Sequence, residues 1–386
     1  MTPPFLPYGR QTIEADDIAA VAEALRDDFL TTGPRVEAFE TAFAEAVGAQ
    51  HAVACINGTA ALHMAMLALG IGPGESCVVP SITFLATANC ARYVGAEVVF
   101  ADVDPTTGLM TPQTLAKALA RAERPVRAIL PVHLRGEVCD LPQIAALAAE
   151  AGAVVVEDAC HALGSERRFE AGDYRVGDGR WSAAAAFSFH PVKTIATGEG
   201  GMVATNDAAL AERLRRARSH GMVRPAGADP WWYEMAEPGF NYRLPDILCA
   251  LGLSQLGKLP RFAAGRRALA ARYQTKLAPL APHVRPAGMP DGSAAVLHLM
   301  TVLIDFEGLR RSRAEVVEAL RQRSVGSQVH YIPVHTQPYY RERYGDLDLP
   351  GAAAWYARAL SLPLYPAMTE GDVDRVVEAL GEALGL

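Results

Sequence analysis

Apolar residues recur along the chain in two alternating rhythms. Spacings of three and four predict amphipathic helices over about 14–28, where Ile18, Val21 and Leu25 share a face, and over 35–47. Short apolar runs predict strands at 51–56, 76–80, 96–101, 128–132 and 154–158. Helical stretches follow these runs, over 60–69, from about 83, over 111–122 and over 141–151. Such alternation predicts an α/β fold, with a mostly parallel sheet covered by helices on both faces.

After a further strand ending near Phe189, a glycine-rich turn at 198–201 returns to apolar 202–204, and a charged helix covers 208–218. An aromatic, turn-rich stretch at 229–233 precedes an apolar helix ending near 256. A helix rich in Ala and Arg over 261–277 reads as a connector. Beyond proline-rich 279–290 the pattern becomes strand at 296–304, helix at 312–323, strand at 328–332 and helix at 370–384. This predicts a smaller α+β domain, with 333–340 too broken by proline to be regular. The expected division is a large domain over 1–260 and a connector with a small domain over 261–386.

Composition narrows the function classes. A chain of 386 residues, half hydrophobic and one fifth charged, can bury two large cores. Its net charge of −7, without a basic stripe interleaved with aromatics, argues against nucleic acid as a partner. The six cysteines lack CxxC spacing and mostly sit in apolar surroundings, which suits buried thiols in a reducing cytoplasm. No apolar run reaches the roughly 18 residues of a membrane helix, and the N-terminal region lacks the blocks of a signal peptide.

Candidate chemistry centres on Lys193, a single amine in a charge-poor loop between Phe189 and the glycine-rich turn. Desolvation there would lower its pKa and leave part of it as a nucleophilic amine. A snorkelling lysine with an exposed head is equally compatible. Asp158 ends a strand of the kind buried on both faces, at the edge where ligands collect in parallel sheets. It could cap a helix, bind a metal or neutralise a cofactor nitrogen. Metal is the weakest of these, since no second carboxylate or paired histidine follows at ligand spacing. A reactive amine with a strand-end carboxylate is the pair that pyridoxal 5′-phosphate requires. Asn57-Gly58-Thr59 opens a helix and could seat a phosphate or simply cap it. Phe84, past a strand end, could stack on a planar group or belong to the core.

Four stretches then carry a family likeness: Asn57-Gly58-Thr59-Ala60-Ala61-Leu62, Glu157-Asp158-Ala159-Cys160-His161-Ala162-Leu163-Gly164, Lys193 with Gly198-Glu199-Gly200-Gly201, and Gly239-Phe240-Asn241-Tyr242-Arg243. Their order and spacing resemble the DegT/DnrJ/EryC1/StrS sugar aminotransferases along nearly the whole chain. The resemblance implies the PLP-dependent transferase fold type I, similar to aspartate aminotransferase. That is an α/β large domain with a mostly parallel seven-stranded sheet, a small C-terminal α+β domain, and a homodimer with composite active sites. By position it implies Lys193 as the Schiff-base lysine and general acid/base, and Asp158 as partner of the pyridinium nitrogen. His161 would meet the ring substituents, Phe84 would stack on the ring, and Thr59, Ala60 and Ser188 would hold the phosphate, joined by Asn241 from the neighbouring subunit. Thr31, His330, Tyr331 and, across the interface, Arg243 would bind substrate.

Ser188 to Thr197, Arg218 to Met222, Gln328 to His335 and the opening Pro7-Tyr8-Gly9 with 28–33 resemble the subgroup of the pseudaminic acid pathway. This implies amino transfer from L-glutamate to C4 of UDP-2-acetamido-2,6-dideoxy-β-L-arabino-hexos-4-ulose. A related enzyme could aminate another nucleotide-linked 4-ketosugar, such as a perosamine precursor. Dehydratase relatives of the family carry histidine in place of the lysine, whereas position 193 is lysine.

Overall fold

The computed structural model describes residues 4–386. In chain order the helices are α1 (Ala15–Ala24), α2 (Pro34–Val47), α3 (Gly58–Ala68), α4 (Leu85–Tyr93), α5 (Pro112–Ala120), α6 (Leu141–Glu150), α7 (Ala208–Arg218), α8 (Asp246–Gly257), α9 (Leu259–Leu277), α10 (Arg313–Gln322), α11 (Pro338–Tyr344), α12 (Pro350–Arg358) and α13 (Glu370–Leu384). The strands are β1 (His51–Cys55), β2 (Ser76–Pro80), β3 (Glu97–Ala101), β4 (Val126–Ile129), β5 (Val154–Asp158), β6 (Glu166–Phe169), β7 (Gly172–Arg175), β8 (Ala184–Ser188), β9 (Gly201–Thr205), β10 (Met222–Val223), β11 (Glu234–Met235), β12 (Val284–Pro286), β13 (Ser293–Ala294), β14 (Met300–Ile304) and β15 (Ala359–Leu362).

Seven strands form one sheet in the order β1-β9-β8-β5-β4-β2-β3. All pairs from β8 to β3 are parallel, and β9 runs antiparallel to both its neighbours. The expected mostly parallel α/β sheet is therefore the observed one. Its parallel strands are mostly apolar because helices cover both faces. Capping chemistry sets many helix starts: Thr111 with Thr114, Ser312 with Glu315 and Thr369 with Asp372 form capping boxes before α5, α10 and α13.

A second apolar core gathers β12, β14 and β15 with α9, α10 and α13. The two cores exchange chain. Val334, Tyr340, Leu349 and Trp355 lie in the first core although they follow residue 261, and Leu6 lies in the second. The segment from Val334 to Tyr344 straps one body to the other. Val334 N–H donates to the Ser81 carbonyl (2.8 Å), Ser81 Oγ meets His335 Nδ1 (2.5 Å), and Tyr340 Oη donates to Asn89 (2.8 Å). Further along, Arg343 and Tyr344 bond to Glu97.

Several sequence expectations are corrected here. Residues 328–332 are not a strand; only Gln328 bridges Ser361, after which the chain turns into a cavity wall. The proline-broken 333–340 is regular after all, as a 3₁₀ turn (Val334–Thr336) and the start of α11. Pro338 sits in the first turn of α11, where a missing amide costs nothing. The strand expected over 296–304 begins only at Met300, because Val296 N–H goes to Ser165 Oγ and His298 N–H to the Arg135 carbonyl. The charged hairpin β6–β7 and the elements α12 and β15 had no clear apolar rhythm to announce them.

The first helix departs most. It ends at Ala24, and its supposed core residues Ile18 and Leu25 are 63% and 56% exposed. Asp17 faces inward instead. It accepts from Lys258 Nζ (2.5 Å), Ser254 Oγ (2.7 Å), Gln255 Nε2 (2.8 Å) and Glu14 N–H (2.9 Å), and so fixes α1 to α8 and α9. Burial alone would raise the Asp17 pKa, but these donors outweigh it and hold it below the ordinary aspartate value. Asp17→Ala should cost about 3 kcal/mol, the lower end for removing one partner of a buried pair, because Lys258 keeps Asp16 at 2.8 Å. Since the folded-state pKa is lowered, this contribution is full above about pH 4 and is lost as the pH falls through the folded value. Denaturant midpoints of both proteins at pH 7 and pH 3 measure it, and the gap between them should narrow at the lower pH.

Candidate active site

The carboxyl ends of β1, β2, β4, β5 and β8 open onto a cavity of about 650 Å³, where a parallel sheet gathers ligands. Segments from the far end of the chain close it, with His330, Tyr331 and Gln337 on one side and Tyr8 beside His330. Lys193, Asp158, His161, Ser188, Thr59, Phe84, His330 and Tyr331 all line this one space. Sequence positions spread over almost 300 residues thus meet because strand ends converge.

Lys193 stands in a loop tied at both ends. Phe189 N–H donates to the Gly200 carbonyl (2.8 Å), Thr197 N–H to the Phe189 carbonyl (2.9 Å) and Lys193 N–H to the His190 carbonyl (2.8 Å). Burial lowers the pKa of its amine, and the acidic groups of Cys160 and Asp158 only partly oppose this. Asp158 ends β5 and is 5% exposed. Its Oδ2 accepts from Thr87 Oγ1 (2.6 Å) and its Oδ1 from Cys160 N–H (3.2 Å). It is therefore no helix cap.

His161 Nδ1 accepts the Arg135 amide (3.3 Å), and its Nε2 lies 3.1 Å from Tyr331 Oη. Burial holds His161 well below the usual histidine range, with the Lys193 charge adding to the effect. Burial likewise pushes His330 down to about 3, again helped by Lys193. His161 and His330 are thus neutral at pH 7.

The start of α3 faces the same cavity. Asn57 Oδ1 accepts Ala60 N–H (2.8 Å) and the Asn57 carbonyl accepts Ala61 N–H (3.0 Å), which leaves the Gly58 and Thr59 amides of the first turn for a ligand. Ala60 itself does not line the cavity, since its amide serves the cap. A Cβ on Gly58 would stand 2.9 Å from Ser188 Cβ and 3.2 Å from Cys160 Sγ. One on Gly201 would stand 2.4 Å from the Asn57 carbonyl. Both glycines are needed for helix and strands to approach this closely.

Three expected site residues lie elsewhere. Thr31 is exposed on the loop before α2, and Arg243 lines a separate hollow of about 380 Å³ with Thr32, Arg215 and Arg218. Asn241 is exposed on a stretch pinned by Phe240 N–H to Ala217 (2.8 Å), Tyr242 N–H to Arg218 (3.0 Å) and Ile56 N–H to Tyr242 (2.8 Å). Within one subunit these residues do not join the cavity. Conversely, Tyr8, Thr83, His190, Glu199, Gln328 and Gln337 line it and were not foreseen as site residues. Tyr8 and Gln328 stood inside motif stretches, whereas Thr83 carried no signal beyond its place before Phe84.

The profile of the DegT/DnrJ/EryC1/StrS aminotransferase family matches residues 11–381. The chain belongs to this family. It is 40% identical over 384 residues to SpsC, a spore coat polysaccharide biosynthesis protein of Bacillus subtilis (strain 168), across 97% of this chain and 96% of that one. Helicobacter pylori PseC, an aminotransferase involved in the biosynthesis of pseudoaminic acid, matches with a TM-score of 0.90 at 28% identity, over 99% of each chain. Spr1654 from Streptococcus pneumoniae, in its PLP form, matches with a TM-score of 0.89 at 25% identity, over 99% of each chain; a PMP form also matches.

As a DegT/DnrJ/EryC1/StrS member the chain is a sugar aminotransferase that uses pyridoxal 5′-phosphate. The cavity fits that cofactor by its donor set. An amine with a lowered pKa and a carboxylate share the space, an aromatic side chain lines it, and the first-turn amides of Gly58 and Thr59 suit an anion at a helix start.

Two lysines are shifted in opposite directions, which gives a direct test in the cofactor-free protein. Burial alone would lower Lys258, but hydrogen bonds to Asp16 and Asp17 raise it, while Lys193 is lowered. Competitive reductive methylation across pH 7 to 11, read by peptide mass spectrometry, should label Lys193 at a lower pH than Lys258. The reverse order would contradict the desolvation of the Lys193 amine.

Proposed function

We propose that the chain transfers the amino group of L-glutamate to C4 of UDP-2-acetamido-2,6-dideoxy-β-L-arabino-hexos-4-ulose, giving UDP-4-amino-4,6-dideoxy-N-acetyl-β-L-altrosamine for pseudaminic acid. The observation that carries the reading is the meeting of Lys193 and Asp158 in one cavity, inside a fold that matches PseC at a TM-score of 0.90. A second reading has its own support. The 40% identity to SpsC exceeds the 28% to PseC, which favours amination of another nucleotide-linked 4-ketosugar.

In this proposal the cofactor, once bound, supplies the electron sink and carries the amino group between donor and ketosugar. Lys193 anchors it and then moves a proton to and from the reacting carbon, a task suited to an amine whose pKa burial has lowered. Asp158 holds the proton on the ring nitrogen. Gly58, Thr59 and Ser188 hold the phosphate, in place of the amide expected of Ala60, while Phe84 covers the ring and His161 meets its substituents. His330 and Tyr331 orient the sugar. His330 is too weak a base, and Tyr331, its pKa raised by burial, too weak an acid, to compete for the proton that Lys193 handles.

The working unit in this reading is a homodimer, in which the partner's Asn241 reaches the phosphate and Thr31 and the partner's Arg243 serve the nucleotide sugar. The exposed Ile18, Leu25, Phe29 and Leu30 around the first loop, and Phe84 with Leu85 at the cavity mouth, support it as surface a partner could cover. Residues 1–260 would form the cofactor domain and 261–386 the connector and small domain. The cytoplasm is the proposed location; among the described residues no helix is long and apolar enough to cross a membrane.

Borohydride reduction of the loaded enzyme should fix the cofactor on the peptide containing Lys193. Lys193→Ala should retain the cofactor without covalent attachment and lose at least about 10²–10⁴-fold in turnover. Labelling of another lysine would remove Lys193 from this role.

Substrate is tested by kcat/KM on a panel of nucleotide-4-ketosugars read by mass spectrometry. The UDP-linked L-arabino sugar should exceed its D-xylo epimer and dTDP- or GDP-linked sugars by roughly 10²-fold or more, because a site built to bond particular hydroxyls rejects mispaired analogues strongly. A better dTDP- or GDP-sugar would overturn the pseudaminic reading and leave the aminotransferase intact.

A further inference from the structure

Thr87 has been given no role so far, yet of the two donors to Asp158 its hydroxyl is the nearer. A threonine inside a helix commonly returns its hydroxyl proton to a carbonyl about one turn back. Thr87, in the first turn of α4, does not. Its Oγ1 donates to Asp158 Oδ2 at 2.6 Å and lies 2.7 Å from Thr83 Oγ1. The single Thr87 proton is committed to the carboxylate, so Thr83 must be the donor in the second bond. The chain of hydroxyls therefore runs one way, Thr83 to Thr87 to Asp158.

All three side chains are shielded from water, with Thr83 1%, Thr87 0% and Asp158 5% exposed. Hydrogen bonds in such surroundings polarise one another along a chain, and bonds to an ionised acceptor are the strong ones. Thr83 also lines the cavity, so the relay begins and ends at its wall.

Resting on the reading of Asp158 as partner of the ring nitrogen, we propose that Thr87 is the positioning residue that keeps the shared proton on that nitrogen, with Thr83 reinforcing it. A proton between a pyridine and a carboxyl group goes to the more basic of the two. A hydroxyl donating to the carboxylate stabilises its charged form and makes it the weaker base, so the N–H bond is kept and no O–H bond forms. Loss of one such charge-assisted bond should shift the partition by about ten- to a hundredfold. Thr87 is buried behind the cavity wall and does not line the cavity, so it acts through Asp158 alone.

The test uses the holoenzyme and two readouts that a packing role would not move. Wild type, Thr87→Val and Thr87→Ser are loaded with pyridoxal phosphate labelled with ¹⁵N in the ring, and the nitrogen shift is read by NMR. In parallel, the affinity of each cofactor-free protein for pyridoxal phosphate is compared with that for its 1-deaza analogue, which carries carbon in place of the ring nitrogen. Wild type should show the protonated ring and prefer the natural cofactor. Thr87→Val should move the shift toward neutral pyridine and lose about ten- to a hundredfold of that preference, with affinity for the deaza analogue unchanged. Thr87→Ser should restore both.

Should Thr87→Val fold poorly, Thr83→Val removes the donor one step back and should give the same changes at smaller size. An unchanged shift and preference in the valine variants would overturn the proposal, as would equal weakening toward both cofactors. A wild type that does not distinguish the two cofactors would instead overturn the reading of Asp158, and the proposal with it.

Discussion

The site depends on keeping one amine dry. Lys193 is useful only while part of it is uncharged, and in water an amine of this type is almost wholly protonated at pH 7. The cavity shifts that balance by desolvation, and the same burial holds His161 and His330 below the usual histidine range, so that neither adds a charge beside the amine at pH 7. The architecture follows from this need. Parallel strands end together, their helices leave a hollow at that edge, and the C-terminal segment covers it with His330 and Tyr331. A lysine at the same sequence position on an open loop would be an ordinary surface cation.

The opposite treatment of Lys258 makes the contrast concrete. That lysine is buried too, but it meets Asp16 and Asp17 and serves as a structural rivet between α1 and the α8–α9 pair. Burial by itself therefore does not make a lysine reactive. What differs is the supply of direct acceptors, which is ample around Lys258 and sparse around Lys193.

How much of this was legible in the chain follows from what each feature depends on. The repeating strand-helix units were legible, because burial on both faces imposes apolar runs such as Val154 to Val156, and the motif stretches around Gly58, Asp158 and Lys193 meet at one cavity. Helix α1 was misread because its inward face is polar: periodicity finds Ile18 and Leu25, and it cannot know that Asp17 has four partners more than 200 residues away or at its own cap. The 328–344 region was misread for a related reason. Its conformation is dictated by bonds to Ser81, Asn89 and Glu97, none of which local propensity can see. Thr87 carried no signal, since a threonine in an apolar helix is unremarked until its partner is known.

The strap from Val334 to Tyr344 has a mechanical consequence. In a two-lobed enzyme whose lobes are joined by one flexible hinge, the cleft can gape to admit a bulky reactant and shut to expel solvent. Here the wall that carries His330 and Tyr331 runs directly into a segment riveted to the sheet of the opposite lobe, at the ends of β2 and β3 and on α4. A swing that parted the two walls would have to break these bonds. Phe84 and Leu85 form an exposed part of the cavity's rim, and dryness during turnover is then a matter of what covers that rim rather than of how the lobes swing.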